Sequence, residues 1–174
     1  AMATEGIRSL NSGLPQILDD PEGIEGREKA LYGAYLSAVA FASAGSGLHH
    51  KICHVLGGTF NLPHAQTHAT VLPYVLAFNA PQAPEAAERI ASAFGAQDAL
   101  QGLQVLRNRV GAPKALKDYG FTAEGIPTAV DLVLEVVPAN NPRKATTANL
   151  TALLQAALAG DDPAALSREY TDAR

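Results

Sequence analysis

Residues 47–68 read Gly47-Leu-His49-His50-Lys-Ile-Cys53-His54-Val-Leu-Gly57-Gly58-Thr-Phe-Asn61-Leu-Pro63-His64-Ala-Gln-Thr-His68. The stretch predicts one helix over residues 48–56, which Gly57-Gly58 ends, and a second helix that starts at Pro63 after a short turn. Elsewhere the chain has almost no alternating run of β-branched residues, the pattern of a half-buried strand. We therefore predict an all-α fold, a helical bundle in a single domain over residues 1–174.

Helical periodicity continues on both sides of this stretch. Residues 24–44 are charged at their start and then small or apolar, which predicts a buried central helix. Residues 4–18 form an earlier predicted helix, with Pro15 as a kink or boundary and with an apolar face made of Ile7, Leu10, Leu14 and Ile17. After the histidine stretch we predict a bend at Pro73 and a helix stop at 79–81. Further helices are predicted over residues 84–94, 98–110, 123–134, 147–159 and 163–170. Between them we predict a turn over 116–120 and a loop over 138–143.

Length and charge exclude several functions. The net charge is -4 and the 13 Lys and Arg residues are scattered, so a nucleic-acid partner is not expected. The longest apolar stretch, residues 32–47, is too short and too rich in small residues to span a membrane. No signal-peptide pattern is present, and the one cysteine fits a reducing compartment, so we expect a soluble cytoplasmic protein. No dinucleotide-binding fingerprint or phosphate-binding loop occurs.

All five histidines of the chain lie within residues 49–68. Histidine is easily poised between metal ligand, proton donor and proton acceptor near neutral pH, so this concentration indicates a functional site. His50 and His54 share one helical face and His64 and His68 another, and the turn between the helices can bring the two pairs together. No Asp or Glu occurs between Glu28 and Glu85. The site therefore uses only imidazoles, or its acid comes from elsewhere.

Three neighbouring residues have a second interpretation. His49 points about a hundred degrees away from His50 on the helix, so it either packs or lines the rim of the site. Cys53 does not share the face of His54, and we interpret it as a small buried thiol, not as a nucleophile. Lys51 either holds an anionic substrate or is simply solvated. Some of the other histidines could also be packing residues with satisfied hydrogen bonds.

The histidine stretch resembles the group III, iron-containing alcohol dehydrogenase superfamily, and within it most closely the maleylacetate reductases. The family pattern is a glycine, two histidines four residues apart, Gly-Gly, and a Pro-His ten residues after the second histidine; here these positions are Gly47, His50, His54, Gly57-Gly58 and Pro63-His64. The double histidine, Cys53 and His68 resemble the maleylacetate reductase branch. The likeness extends from the helix around Gly6-Ile7-Arg8 to the Asn141-Pro142-Arg143 loop.

The resemblance implies a helical fold for this chain and a second, N-terminal domain in the full-length relatives. Relatives are about twice this long, with an N-terminal α/β domain that binds the nicotinamide dinucleotide and a helical domain similar to this chain, as in dehydroquinate synthase-like proteins. In metal-dependent relatives an Asp and a further His lie just before the segment that this chain matches. His50 and His64 would complete such a site for Fe²⁺ or Zn²⁺, and His54 would lie beside the metal and the nicotinamide. Several maleylacetate reductases work without a metal, so its presence stays open.

The activity implied is hydride transfer from NADH or NADPH to the carbon-carbon double bond of maleylacetate, which gives 3-oxoadipate in aromatic-compound degradation. The resemblance assigns catalysis to His50, His54 and His64, which would stabilise charge on the conjugated ketone oxygen or deliver a proton. His49, Lys51 and His68 are candidates for binding the carboxylates of this dicarboxylate substrate. The isolated chain is expected to be inactive, because the cofactor would bind mainly to the N-terminal dinucleotide-binding domain.

Two alternatives stay open at this point. The first is an alcohol or polyol dehydrogenase of the same superfamily. The second is a stand-alone helical module that binds a metal or a partner without catalysis, which stoichiometric Zn²⁺ or Fe²⁺ retention would favour. For a domain without its partner we also expect an exposed apolar face and self-association, as a homodimer.

Overall fold

The computed structural model describes residues 1–171, with side chains up to residue 167. Within this range the secondary structure consists of α-helices and short 3-10 turns without a strand, which confirms the all-α prediction. The 3-10 turns are Ala80–Gln82, Leu116–Tyr119 and Ala123–Gly125. The helices are α1 (Met2–Asp19), α2 (Ile24–Ala44), α3 (Leu48–Phe60), α4 (His64–Asn79), α5 (Pro84–Phe94), α6 (Ala99–Arg109), α7 (Ile126–Val136), α8 (Thr147–Ala159) and α9 (Ala164–Thr171).

Most predicted helix bounds agree with the structure. The ranges of α2, α5 and α8 are those predicted, and α6 and α9 differ by one residue at each end. The predicted helix over 123–134 begins as a 3-10 turn and becomes α7. Pro15 is not a boundary, because α1 continues through it to Asp19. No described helix is both long enough and apolar enough to cross a bilayer.

The predicted end of α3 at Gly57-Gly58 is wrong. The helix continues to Phe60, and the left-handed residue that ends it is Asn61, with φ 54°. Glycine inside a helix costs only about 1 kcal/mol relative to alanine, so two glycines do not stop a helix whose buried face contacts a neighbour. Asn is one of the few residues other than glycine that adopts this conformation readily.

The chain divides into two compact units, of which the first comprises residues 1–45 and 84–112. Its α1 packs on α2 through small residues: a Cβ added at Gly13 would lie 2.6 Å from the backbone N of Ala30. The buried residues of α1 are therefore Gly6, Ser9 and Gly13. The predicted apolar face of α1 is only half-buried, because the close backbone approach leaves the large side chains beside the contact.

The prediction that residues 24–44 form a buried central helix is also wrong. Of α2 only Gly26, Gly33 and Leu36 are buried, whereas 73% of Leu31 and 63% of Tyr35 are exposed. Small residues promote a close contact along one stripe of a helix, and they do not require burial of the remaining faces.

The second unit comprises residues 46–83 and 113–174, of which those up to 171 are described. Its α4 packs against α3, α8 and α9. The Tyr74 hydroxyl donates to the carbonyl O of Asp161 at 2.9 Å, and Asn79 and Asn141 pair through their side-chain amides. The interior is formed by Leu48, Ile52, Leu56, Val71, Phe78, Leu116, Val130, Val133, Leu150, Leu153 and Leu154. In this core α3 packs against α4.

Candidate functional site

The histidines lie at the N-terminal ends of α3 and α4. Ile52 and Leu56 are completely buried and hold α3 against the core of its unit. Thr67 is also buried, and its hydroxyl donates to the carbonyl O of Pro63 at 2.7 Å, which closes the first turn of α4. Asn61 ends α3 in the left-handed conformation, and α4 begins three residues later at His64. The first two turns of both helices therefore bring their histidines to one place.

All five histidine rings meet around His68. The ring centroid of His68 lies 4.2 Å from that of His64, 4.8 Å from His49, 5.0 Å from His50 and 6.4 Å from His54. His50 and His54 lie 6.0 Å apart. The two pairs thus lie together, as the helix–turn–helix pattern predicted. His54 and His64 are exposed, whereas His49, His50 and His68 are half-buried.

His49 is connected to His68 by a direct hydrogen bond. Its Nε2 lies 3.0 Å from the carbonyl O of His68. A carbonyl oxygen only accepts, so Nε2 carries the proton, and in the neutral ring the Nδ1 keeps its lone pair. The sequence offered no signal for this contact, because it joins residues 19 positions apart on different helices. The central position of His68 was likewise missed.

Burial keeps the inner histidines neutral. Burial, and to a lesser degree the four neighbouring histidines, lower the pKa of His68 to about 4. Burial also lowers the pKa of His49, and the hydrogen bond to His68 opposes this only in part. The pKa of His50 is lowered by burial and then by His54 and His64. Neutral imidazoles at pH 7 are metal ligands, hydrogen-bond donors and proton acceptors, but not fixed cations.

The side chains beside the cluster differ in accessibility. Cys53 is buried, and burial raises the pKa of its thiol to about 12, so the thiolate needed of a nucleophile does not form near neutral pH. This confirms the interpretation of Cys53 as a small buried thiol. Lys51 is half-buried, and its two interpretations both stay open.

The donor set of the cluster suits a divalent transition metal. His49, His50 and His68 each offer a ring nitrogen, and these atoms all lie within 4.8 Å of one another. The Nε2 of His68 is buried and has no hydrogen-bond partner in the part of the chain that the structure describes. Imidazole nitrogen is a common ligand of Zn²⁺ and Fe²⁺. The predicted pair of metal ligands, His50 and His64, stays a prediction.

A family model describes this architecture. The model of the C-terminal part of the Fe-containing alcohol dehydrogenase family matches residues 1–158. That range includes both helices of the histidine cluster and extends across both compact units.

Individual relatives match nearly the whole chain. The maleylacetate reductase of Burkholderia cepacia is 42% identical over 162 residues, which are 93% of this chain and 46% of that protein. The solved iron-containing alcohol dehydrogenase of Corynebacterium glutamicum ATCC 13032 KITASATO is 71% identical with a TM-score of 0.94, over 95% of this chain and 47% of that one. The solved maleylacetate reductase of Rhizobium sp. strain MTP-10005 is 38% identical with a TM-score of 0.86, over 93% and 46%. The chain therefore spans about half the length of these relatives.

Proposed function

The chain belongs to the Fe-containing alcohol dehydrogenase family, whose C-terminal part it matches, and from this premise we propose that it is the substrate side of a maleylacetate reductase. The observation that carries the proposal is the match to the maleylacetate reductase of Burkholderia cepacia, which is 42% identical over 93% of this chain. The proposed reaction is hydride transfer from NADH or NADPH to the double bond of maleylacetate, which yields 3-oxoadipate. The substrate class is a small unsaturated keto-dicarboxylate.

We propose that the cofactor binds mainly to an N-terminal α/β domain. The chain has no glycine-rich dinucleotide fingerprint, and it spans 46% of its relative from Burkholderia cepacia. Residues 1–174 would act as one helical domain in that larger protein. The histidine cluster would face the nicotinamide, and the isolated chain would be inactive.

The exposed part of the cluster suits the reacting end of the substrate. When hydride adds to the conjugated double bond, negative charge develops on the ketone oxygen, and the adjacent carbon then needs a proton. We assign these roles to His50, His54 and His64, whose N–H groups would stabilise that charge or deliver the proton. His54 and His64 are exposed, as a group that contacts a substrate must be.

The substrate carboxylates need donors beside this point. We propose His49, Lys51 and His68 for this role, of which Lys51 supplies a permanent positive charge. For His49 this role requires Nε2 to break its hydrogen bond to the carbonyl O of His68 and to donate to the carboxylate instead. The neutral state of His68 makes it a hydrogen-bond donor to a carboxylate instead of an ion-pair partner.

A metal ion is compatible with the site but not required by the proposal. In the family pattern, His50 and His64 would hold Fe²⁺ or Zn²⁺ together with an Asp and a His from the N-terminal side. A bound ion would supply Lewis-acid polarisation of the ketone oxygen. Without it, the imidazole N–H groups would stabilise the same charge.

The test is a substrate panel on the chain joined to its N-terminal domain. We expect NADH or NADPH oxidation with maleylacetate, and none by the 174-residue chain alone. His54→Gln should lower kcat by about 10²-fold or more, whereas the exposed Glu88→Gln on α5 should leave it unchanged. Turnover by the chain alone would refute the need for the second domain.

An alcohol or polyol dehydrogenase is the second candidate. It is favoured by the 71% identity to a protein from Corynebacterium glutamicum described as an iron-containing alcohol dehydrogenase. Dinucleotide reduction by simple alcohols or polyols, with no oxidation of NADH or NADPH by maleylacetate, would decide for this candidate.

We further propose a cytoplasmic homodimer. Within these 174 residues the single cysteine has no second cysteine to pair with, which fits the reducing compartment that supplies NADH and NADPH. The exposed apolar residues of α2 provide a surface for association.

A further inference from the structure

Lys51 carries the only permanent charge in the segment that forms the histidine cluster. Between residues 46 and 83 the sequence contains no Asp, Glu or Arg and no second Lys. Lys51 belongs to the first turn of α3, directly after His50 and three residues before His54. Residues three apart on a helix are neighbours on its surface. The positive charge therefore lies beside an exposed member of the cluster.

No acidic group of this unit neutralises that charge. The neighbouring helix α4 contains no Asp or Glu, and the acidic residues of α7, which also packs against α3, are the exposed Asp131 and Glu135. Neither forms an ion pair with Lys51 in the part of the chain that the structure describes. Lys51 is half-buried. A cation that has lost part of its hydration without gaining a counter-ion favours binding of an anion.

The location of Lys51 on α3 increases the positive potential. A helix has partial positive charge at its N-terminal end, where acidic side chains are stabilising and basic ones are not. The first turn of α3 has no acidic residue, and its N-cap is Gly47, which has no side chain to cap it. The potentials of the helix end and of Lys51 therefore add. An anion beside them would be stabilised by both.

The proposed substrate has two carboxylates on different sides of its ketone. One ends the saturated CH₂ arm attached to the ketone carbon, and the other is attached to the double bond. The double bond must face the nicotinamide, which we place on the N-terminal domain. The ketone must face His50, His54 and His64, and Lys51 is the neighbour of His54 on α3. The carboxylate of the saturated arm is therefore the one beside Lys51.

We propose that Lys51 binds the carboxylate of the saturated arm and so makes the enzyme selective for a keto-dicarboxylate. The carboxylate on the double bond is left to neutral donors, His49 and His68 among them, and to the N-terminal domain. This inference rests on the proposed function and deepens it. Because the bound carboxylate keeps its charge during the reaction, Lys51 binds substrate and transition state equally. Its loss should raise KM and leave kcat unchanged.

The test compares two substrates on the chain joined to its N-terminal domain. Maleylacetate has both carboxylates, whereas in cis-acetylacrylate a methyl group replaces the saturated arm with its carboxylate. We expect Lys51→Met to raise KM for maleylacetate by about 10-fold or more at unchanged kcat. KM for cis-acetylacrylate should stay within about 2-fold. Lys51→Arg keeps the positive charge and should recover most of the loss.

Lys117→Met is the matched control, because Lys117 is exposed and lies outside the histidine cluster. It should change KM for neither substrate, and circular dichroism checks that each variant is folded. An equal rise in KM for both substrates in Lys51→Met, or no rise for either, would overturn the inference while leaving the proposed function intact. If neither substrate oxidised NADH or NADPH, the proposed function would be refuted, and this inference with it.

Discussion

At the residue scale, the most informative side chain is His68. Its ring contacts the other four histidines, although it comes from the second turn of α4. The spacing of residues 64 and 68 predicts one of these contacts, because residues four apart share a helical face. The contact with His49 follows only from the packing of α3 on α4. The chemistry of the cluster, namely its neutral state and the tautomer of His49, therefore depends on tertiary structure.

Acid should destabilise the metal-free chain through these histidines. A histidine titrates near 6.5 in the unfolded chain, whereas burial and the neighbouring histidines lower the pKa of His68 to about 4 in the folded one. Between pH 6.5 and pH 4 the unfolded state binds a proton at this histidine that the folded state does not. The contribution of the neutral ring to the free energy of unfolding is therefore fully present above about pH 6.5 and is lost as the pH falls towards 4. The pKa values of His49 and His50 are lowered too, which adds to the loss.

The measurement is the Tm of chelator-treated protein between pH 7.5 and pH 4.5. Allowing for solvent screening of this half-buried ring, His68 should contribute about 1 kcal/mol, or roughly 2–4 °C of Tm at this chain length. His68→Gln should lose that part of the pH dependence, and the exposed His54→Gln should keep it. An identical decline in Tm for the wild type and His68→Gln would contradict the assignment.

At the element scale, small residues decide how α1 and α2 pack. Gly6, Gly13, Gly26 and Gly33 are buried, whereas Leu36 is the only large residue of the two helices that is buried with them. Apolar periodicity predicts that large side chains are buried, since a helix usually packs through its apolar face. Here the backbones approach so closely that only glycine fits, and the periodicity of Ile7, Leu10, Leu14 and Ile17 does not identify the buried face.

Gly13→Ala should therefore weaken the first compact unit. The new Cβ would lie 2.6 Å from the backbone N of Ala30 and 2.9 Å from the carbonyl O of Gly26, and backbone atoms move only if the helices separate. We expect a loss of about 1–3 kcal/mol in the free energy of unfolding, measured by urea denaturation.

Gly58→Ala is the matched control for this substitution. Gly58 is exposed within α3, has no positive φ, and its added Cβ would meet no atom within 4 Å. Alanine is the better helix former there, so stability should stay unchanged or rise by up to about 1 kcal/mol. If both variants lost stability equally, the close approach of α1 and α2 would not be the cause.

At the scale of the whole molecule, the exposed apolar side chains of α2 predict self-association. Leu31 and Tyr35 lie four residues apart on one face and are 73% and 63% exposed. We expect the chain to dimerise with rising concentration in sedimentation velocity, and Leu31→Ser/Tyr35→Ser to shift it towards monomer. Val105→Ser removes a side chain that is 65% exposed on α6 and serves as the control. A wild-type chain that stays monomeric at high concentration would count against the prediction.

The sequence by itself determined the helical class, most helix bounds and the membership of the histidine cluster. These depend on local rules: helical periodicity, capping residues, proline placement and a family pattern concentrated in residues 47–68. The helix–turn–helix pattern even predicted that the two histidine pairs meet. What it could not provide was any quantity that depends on contact between distant residues.

Tertiary structure alone decided which faces are buried and how the histidines are poised. The buried face of α1 depends on how closely the backbone of α2 approaches, which no periodicity within α1 records. The end of α3 at Asn61 depends on packing that carries the helix past Gly57-Gly58. The pKa of His68 and the hydrogen bond from His49 depend on burial and on a contact across 19 residues. Burial and long-range contacts are properties of the packed chain, and they set the chemistry of side chains whose identity the sequence already specifies.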